Sequence, residues 1–176
     1  MVTGRGELTA QVSGKLRHVS AAPPDFPAVG DFVLVDRDND REGYGTIHRI
    51  LSRRSAFIRK AAGKTGDSQV VAANIDTVFI CMALTRDFNL KRLERYLAIA
   101  WDSGAVPVVI LTKSDLHQDV SQQLRAVENA AIGVDVVVSS GVSGAGCEEI
   151  MAWIRPGKTV AFIGSSGVGK STLINR

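Results

Sequence analysis

Apolar residues change their spacing part-way along the chain. In the first part they are short and separated by turns: Leu8, Ala10 and Val12 alternate with polar residues, and Phe32-Val33-Leu34-Val35 follows the proline-rich loop Pro23-Pro24-Asp25-Phe26-Pro27. Tyr44 to Leu51 follows the acidic turn Asp36 to Glu42, and Ala56-Phe57-Ile58 makes a fourth run. Strands of this length at this spacing predict a small antiparallel barrel, with an OB-fold the leading candidate. Residues 61–68, Ala-Ala-Gly-Lys-Thr-Gly-Asp-Ser, read as a linker.

From Gln69 the pattern becomes an alternation of continuous apolar runs and helical periods. Val78-Phe79-Ile80-Cys81-Met82-Ala83 has the unbroken apolar character of a strand buried on both faces. Leu90, Leu93, Leu97 and Ala100 recur at three- and four-residue intervals, predicting a helix that stops near Gly104. Strands follow at Val106–Leu111, Val134–Val138 and Thr159–Ile163, with helices over 119–131 and from Cys147 to Ile154 between them. This order predicts a parallel sheet with helices on both faces. The fold class is therefore an all-β OB-fold barrel over residues 1–66 followed by an α/β domain over residues 67–176.

Composition adds boundaries. The 176 residues, 45% of them hydrophobic, suffice for one good core or two small ones. No apolar run reaches the length of a membrane span, and Met1 to Ala10 lack the apolar stretch of a signal peptide. Cys81 and Cys147 have no CxxC neighbour, so they form no metal or disulfide framework and fit a reducing, cytoplasmic setting. Cys81 lies in an apolar run and reads as a small buried hydrophobe. The formal net charge is +3, and all of the excess lies in residues 1–68, with 11 Lys and Arg against 8 Asp and Glu. Two parts with different partners are the natural reading.

The strongest chemistry stands near the end of the chain. Gly164-Ser165-Ser166-Gly167-Val168-Gly169-Lys170-Ser171 fits G-x-x-x-x-G-K-[ST] at every fixed position, follows an apolar strand and opens a helix, and the phosphate-binding loop is read as Gly164 to Thr172. The glycines let backbone N–H groups turn inward around phosphate oxygens. Lys170 is placed to bridge the β- and γ-phosphates, and the Ser171 hydroxyl to ligate Mg²⁺. The competing reading is a glycine-rich turn that binds nothing; sequence and context together argue against it.

Thr112-Lys113-Ser114-Asp115 follows directly on the strand ending at Leu111 and resembles the [NT]KxD base-recognition motif of GTPases. A carboxylate there accepts both the N1–H and the 2-amino N–H of guanine, donors that adenine lacks, and such sites discriminate by factors of about 10⁴. The Lys113 stem covers one face of the base. The alternative is that Asp115 merely caps the helix over 119–131. Ser139-Ser140, at the next strand end, resembles the loop whose backbone N–H groups meet the guanine oxygen, although two serines after a strand also make an ordinary turn. Gly141 to Gly146 reads as a flexible loop. All three motifs leave the carboxyl edge of one parallel sheet, where ligands of such sheets bind. Their order is inverted, base motifs before phosphate loop, which marks a circularly permuted GTPase.

The sequence resembles the RsgA (YjeQ) family. The resemblance is carried by Gln69-Val70-Val71-Ala72-Ala73-Asn74-Ile75-Asp76, Asp87-Phe88-Asn89-Leu90, Arg92-Leu93-Glu94-Arg95-Tyr96-Leu97 and Thr112 to Leu116. Gly30-Asp31, Arg53-Arg54-Ser55 and Arg59-Lys60 add to it, and it runs from about Ala10 to Arg176. It implies an N-terminal OB-fold, a permuted GTPase domain and a C-terminal zinc-binding domain. It also implies a monomeric bacterial factor that binds GTP or GDP with Mg²⁺, joins the small ribosomal subunit and its rRNA late in maturation, and leaves on GTP hydrolysis, with Lys170 and Ser171 in the catalytic centre. Thr112 stands where many GTPases have Asn, so no side-chain amide is available there to bridge to the phosphate loop. Switch regions and zinc ligands are absent, which predicts a piece of a longer protein, weak in hydrolysis and prone to self-associate through incomplete sheet edges.

Between Ile47 and Gly66 stand six cations, Arg49, Arg53, Arg54, Arg59, Lys60 and Lys64, and no acid. Charge alone favours a solvated barrel face; the ribosomal resemblance favours contacts with rRNA phosphates. Phe57 is the nearest aromatic and reads as core, which argues against base stacking. A nucleotide-switched ribosome-binding module with incidental hydrolysis, and an ATPase with a fused OB-fold, are the competing functions.

Overall fold

In the N-terminal part, alternation of apolar and polar residues produces short strands. The computed structural model describes residues 1–20, 22–39, 43–60 and 68–176, which form two compact units, Met1–Asn74 and Ile75–Arg176. Lys64, most of the expected linker and part of the acidic turn at Asp36 to Glu42 lie outside the described residues, as does the side chain of Lys60.

The first unit opens with a hairpin of β1 (Val2–Thr3) and β2 (Gly6–Glu7). β3 (Ala10–Val12) leads into α1 (Gly14–Val19), whose start is fixed by Ser13: its hydroxyl accepts the Leu16 N–H at 3.1 Å. β4 (Val33–Val35) and β5 (Gly45–Ile50) pair antiparallel, while β3 pairs with β5 in parallel, giving the order β3-β5-β4. β6 (Ala56–Lys60) pairs antiparallel with β7 (Ser68–Ala73).

Two expectations change here. The β3–β5 pair is parallel, so the unit is not antiparallel throughout. The segment from Ser68 to Asn74, expected in the second domain, belongs to the first: β7 runs beside β6 from Ala56↔Ala73 to Lys60↔Ser68. An apolar run of this length fits either domain, and periodicity alone does not identify the strand it pairs with.

Arg53 ties this unit together. Its Nε and Nη2 donate to the two carboxylate oxygens of Asp31 at 2.8 and 2.7 Å, Nη1 donates to the Pro24 carbonyl at 2.7 Å and Nη2 also to Phe26 at 2.9 Å. The Arg53 side chain is 19% exposed and that of Asp31 only 1%. Asn74, buried and held at φ +57°, closes the same region: its Oδ1 accepts the Arg54 N–H at 2.9 Å and its Nδ2 donates to the Gly30 carbonyl at 3.0 Å. Gly30 packs so closely that a Cβ there would lie 2.2 Å from the Ala73 carbonyl oxygen.

In the second unit, β8 (Thr77–Ala83) is buried at every position. α2 (Leu90–Ser103) follows, capped by Asn89 at its start and by left-handed Gly104 at its end, and buries Leu93, Leu97 and Ala100. Next come β9 (Val106–Thr112), α3 (Ser121–Ala130), β10 (Asp135–Val138), α4 (Cys147–Met151), β11 (Val160–Ile163) and α5 (Lys170–Ile174). The four strands are parallel in the order β10-β9-β8-β11. Phe79, Cys81, Ala83, Val108 and Ile110 pack with Ile150, Val168, Trp153 and Leu173 on one face. The alternate residues of β8 and β9 point to the opposite face, where Ile80 and Met82 meet Leu93 and Tyr96 of α2. Both faces are covered, as expected of a parallel sheet. Among the described residues no helix is long and apolar enough to cross a membrane.

Burial raises the Asp31 pKa, but the Arg53 and Ala28 hydrogen bonds outweigh it and hold the carboxyl below the usual range. A depressed folded pKa stabilises above the unfolded value near about 3.9, and that stabilisation is lost as pH falls through the folded value. Arg53→Ala, which strands a buried carboxylate, is expected to lower stability in urea by about 3 kcal/mol at pH 7. The gap to the unmodified chain should narrow below about pH 4 as Asp31 protonates; a gap independent of pH would contradict this role.

Candidate functional site

Parallel register carries the chemistry to one edge. Ala83 stands opposite Thr112, Leu111 opposite Val138 and Ile80 opposite Ile163, so the loops after β9, β10 and β11 leave the same edge of the sheet, with the end of β8 between those of β9 and β11.

The phosphate-type loop is built on three glycines with positive φ: Gly164 at +143°, Gly167 at +76° and Gly169 at +101°. At Gly164 a Cβ would lie 2.4 Å from the Cys81 carbonyl oxygen, so the loop lies directly on β8 and tolerates no side chain there. Val168 is buried and anchors the loop from beneath, whereas Ser166, Gly167, Ser171 and Thr172 are exposed. Lys170 Nζ donates to the loop's own carbonyls, Gly164 at 2.9 Å and Ser165 at 2.7 Å. Beneath the loop, burial pushes the Cys81 thiol up to about 12, against the pull of the nearby Lys170 charge. Cys81 is thus the inert packing group expected of it.

Thr112 joins this loop to the base motif. Its hydroxyl donates to the Val168 carbonyl at 2.5 Å. The link that a side-chain amide was not available to make is supplied by a hydroxyl instead. Lys113 adopts φ +62°, a left-handed conformation that costs an L-residue about 1 kcal/mol. That turn directs Ser114-Asp115-Leu116 into a 3₁₀ segment, with the Ser114 N–H donating to the Ser139 carbonyl at 3.1 Å. The Ser140 hydroxyl donates to Asp115 Oδ1 and accepts the Val142 and Ser143 N–H groups at 3.2 and 3.1 Å. Ser139 and Ser140 are both fully buried, and the Ser139 hydroxyl finds no partner among the described residues.

The alternative role for Asp115 does not hold. α3 starts at Ser121, and it is Asp119 that receives the Ser121 N–H at 2.9 Å. Nor is 141–146 a loose loop: the Gly144 N–H donates to the Ser140 carbonyl and the Ser140 N–H to Ala145, each at 2.9 Å.

Arg92 was not among the residues expected at the site. It sits in the first turn of α2, its Nη1 donating to both Asp87 carboxylate oxygens at 2.8 and 3.0 Å and to the Ser165 hydroxyl. Sequence pattern marked the helix but gave no sign that this turn reaches the glycine loop. In the first unit, Arg49, Arg54 and Arg59 are exposed, but Arg53 is not a free cation, since its guanidinium is committed to Asp31 and two carbonyls. Phe32, which the sequence pattern did not connect with the basic stretch, is exposed and shares the solvent side of the β4–β5 pair with Leu34, Arg49 and Leu51.

A family model described as RsgA GTPase matches residues 50–176, which include all three loops. The chain belongs to the RsgA GTPase family. It is 50% identical over its full length to small ribosomal subunit biogenesis GTPase RsgA 2 of Lactiplantibacillus plantarum, of which it covers 49%. To RsgA of Opitutus terrae it is 46% identical, covering 50% of that protein. The crystal structure of YjeQ from Thermotoga maritima superposes with a TM-score of 0.76 at 27% identity, over 98% of this chain and 57% of that one. The structure of YloQ, described as a circularly permuted GTPase, matches at a TM-score of 0.66 and 26% identity, over 94% of this chain and 54% of that one. The chain spans about half the length of the curated relatives it matches.

The donor set of this RsgA-family chain fits a phosphate ligand, since the glycine loop is shaped as backbone cradle with a cation at its base. For a divalent ion it offers the exposed Ser171 hydroxyl, and among the described residues no group of three His, Cys, Asp or Glu side chains stands together.

Thr112→Val removes the hydroxyl at nearly constant volume and leaves the Val168 carbonyl without this donor. The expected cost is about 1–2 kcal/mol in urea unfolding, with Thr112→Ser nearly neutral; equal losses for Val and Ser would assign the effect to packing instead.

Proposed function

We propose that this chain binds a guanine nucleotide with Mg²⁺ at the carboxyl edge of its parallel sheet. The observation that carries the reading is Asp115, held by the Ser140 hydroxyl on a loop that Thr112 ties to the glycine cradle. Gly164 to Thr172 take the phosphates, Lys170 leaves the loop carbonyls to meet the β- and γ-phosphates, and Ser171 ligates Mg²⁺. Thr112 to Asp115, with Ser139 and Ser140, read the base. A carboxylate accepting two N–H bonds from guanine has nothing to accept from adenine at the same place, which disfavours the ATPase alternative.

For the whole protein the proposal extends to GTP hydrolysis during maturation of the small ribosomal subunit in the cytoplasm. Its support is the name its relatives carry, small ribosomal subunit biogenesis GTPase. On this reading the first unit is an OB-fold that contacts rRNA through Arg49, Arg54, Arg59, Lys60 and Lys64, with Phe32 available for base stacking and Arg53 serving the fold. The inverted motif order supports a permuted GTPase domain, with zinc ligation assigned to sequence outside this chain. Hydrolysis by this chain alone is expected to be slow, because the groups that hold the attacking water are not among the residues described.

Replacing Asp115 by Asn tests the base assignment. GDP affinity is expected to fall by about two orders of magnitude or more while ADP affinity stays unchanged. If both affinities match those of the unmodified chain, the guanine assignment fails. In the full-length protein, turnover that does not rise on adding small subunits would favour a binding module with incidental hydrolysis.

A further inference from the structure

The loop that follows β10 makes a second set of contacts, to the helix that begins at Lys170. Arg176 Nη1 donates to the carbonyls of Gly141 and Val142, each at 3.0 Å, and Nη2 to that of Ser143 at 3.4 Å. Arg176 stands two residues beyond the end of α5; within that helix, Thr172 packs against Gly141 so tightly that a Cβ there would lie 2.8 Å from the Thr172 methyl. At Gly144, φ is +89° and a Cβ would lie 2.7 Å from the Arg176 guanidinium. Two glycines thus admit two side chains, one from α5 and one from the residue just past its C-cap.

We propose that Thr172 and Arg176 form a latch that fixes the 141–144 loop against the phosphate-loop helix, making Arg176 a positioning residue for base recognition. The inference rests on the guanine reading above. The loop N–H groups of Val142 and Ser143 are accepted by the Ser140 hydroxyl, which itself donates to Asp115. Arg176 holds the opposite, carbonyl side of the same residues. A guanidinium fork spans three carbonyls that would otherwise point to water, and holding them fixes the N–H groups behind them. The helix that carries Lys170 and Ser171 therefore also sets where Ser140 and Asp115 stand. Phosphate and base recognition share one rigid element, with no ligand contact by Arg176 itself.

Arg176→Ala, Arg176→Lys and Thr172→Ser in the full chain test this, with GDP, ADP and inorganic pyrophosphate as probes. Arg176→Ala is expected to weaken GDP by about tenfold and to reduce the preference for GDP over ADP by the same factor, while pyrophosphate affinity is unchanged. Arg176→Lys, which reaches fewer carbonyls, should fall between. Thr172→Ser, which keeps the hydroxyl and removes the packed methyl, should lower the preference for GDP over ADP by a smaller factor. Equal weakening of GDP and pyrophosphate would assign Arg176 to the phosphate helix alone and overturn the latch, as would unchanged GDP binding. If the unmodified chain binds pyrophosphate but prefers neither GDP nor ADP, the guanine reading fails and takes the latch with it. If Arg176→Ala alone loses the preference, the latch stands.

Discussion

Parallel pairing is the constraint on which the second unit depends. A parallel strand is re-entered only through a crossover, so every strand of β10-β9-β8-β11 ends at the same edge. The register then decides which loops are neighbours. With Ala83 opposite Thr112 and Leu111 opposite Val138, the end of β9 sits between the end of β8 and the Ser139-Ser140 turn, and Thr112 reaches the glycine loop at Val168. Sequence order does not matter to this geometry. An inverted arrangement of base motifs and phosphate loop reaches the same convergence, because the sheet and not the chain sets adjacency.

What turns adjacent loops into one site is a small number of polar links and strained backbones. Thr112 reaches Val168, Ser140 reaches Asp115, and Lys113 is held at positive φ between them. The Lys113 conformation is costly alone and is over-determined by buried neighbours: Thr112, Val168, Ser139 and Ser140 are all buried. Gly164 fits the same logic, since its contact with the Cys81 carbonyl joins the phosphate-type loop to the most buried strand of the sheet. Rigidity at the base of the loop coexists with exposure at its mouth, where Ser166, Gly167 and Ser171 face solvent.

Much of the second unit was legible in the sequence. The apolar run from Val78 to Ala83, the 3–4 spacing from Leu90 to Ala100 and the glycine signature are local patterns with local causes. Asp115 was legible as a candidate, but its partner was not, because Ser140 lies 25 positions away. Arg92 was invisible for the same reason: its partner Ser165 lies 73 positions on. The first unit was harder. Its strands are two to six residues long, and β7 looks like a strand of either unit until its register with β6 is known. Arg53 shows the limit of charge counting. A cation in a basic stretch reads as surface until a buried carboxylate 22 positions earlier claims it.

The central claim is that three loops from one sheet edge form a single guanine-nucleotide site. Amide hydrogen exchange followed by mass spectrometry, with and without Mg²⁺ and GDP, tests it most directly. The account predicts slowed exchange in peptides covering 112–116, 139–144 and 164–172 together, little change in residues 1–74, and no comparable protection at 112–116 with ADP. Protection confined to 164–172, or equal protection of all three loops by ADP, would contradict it.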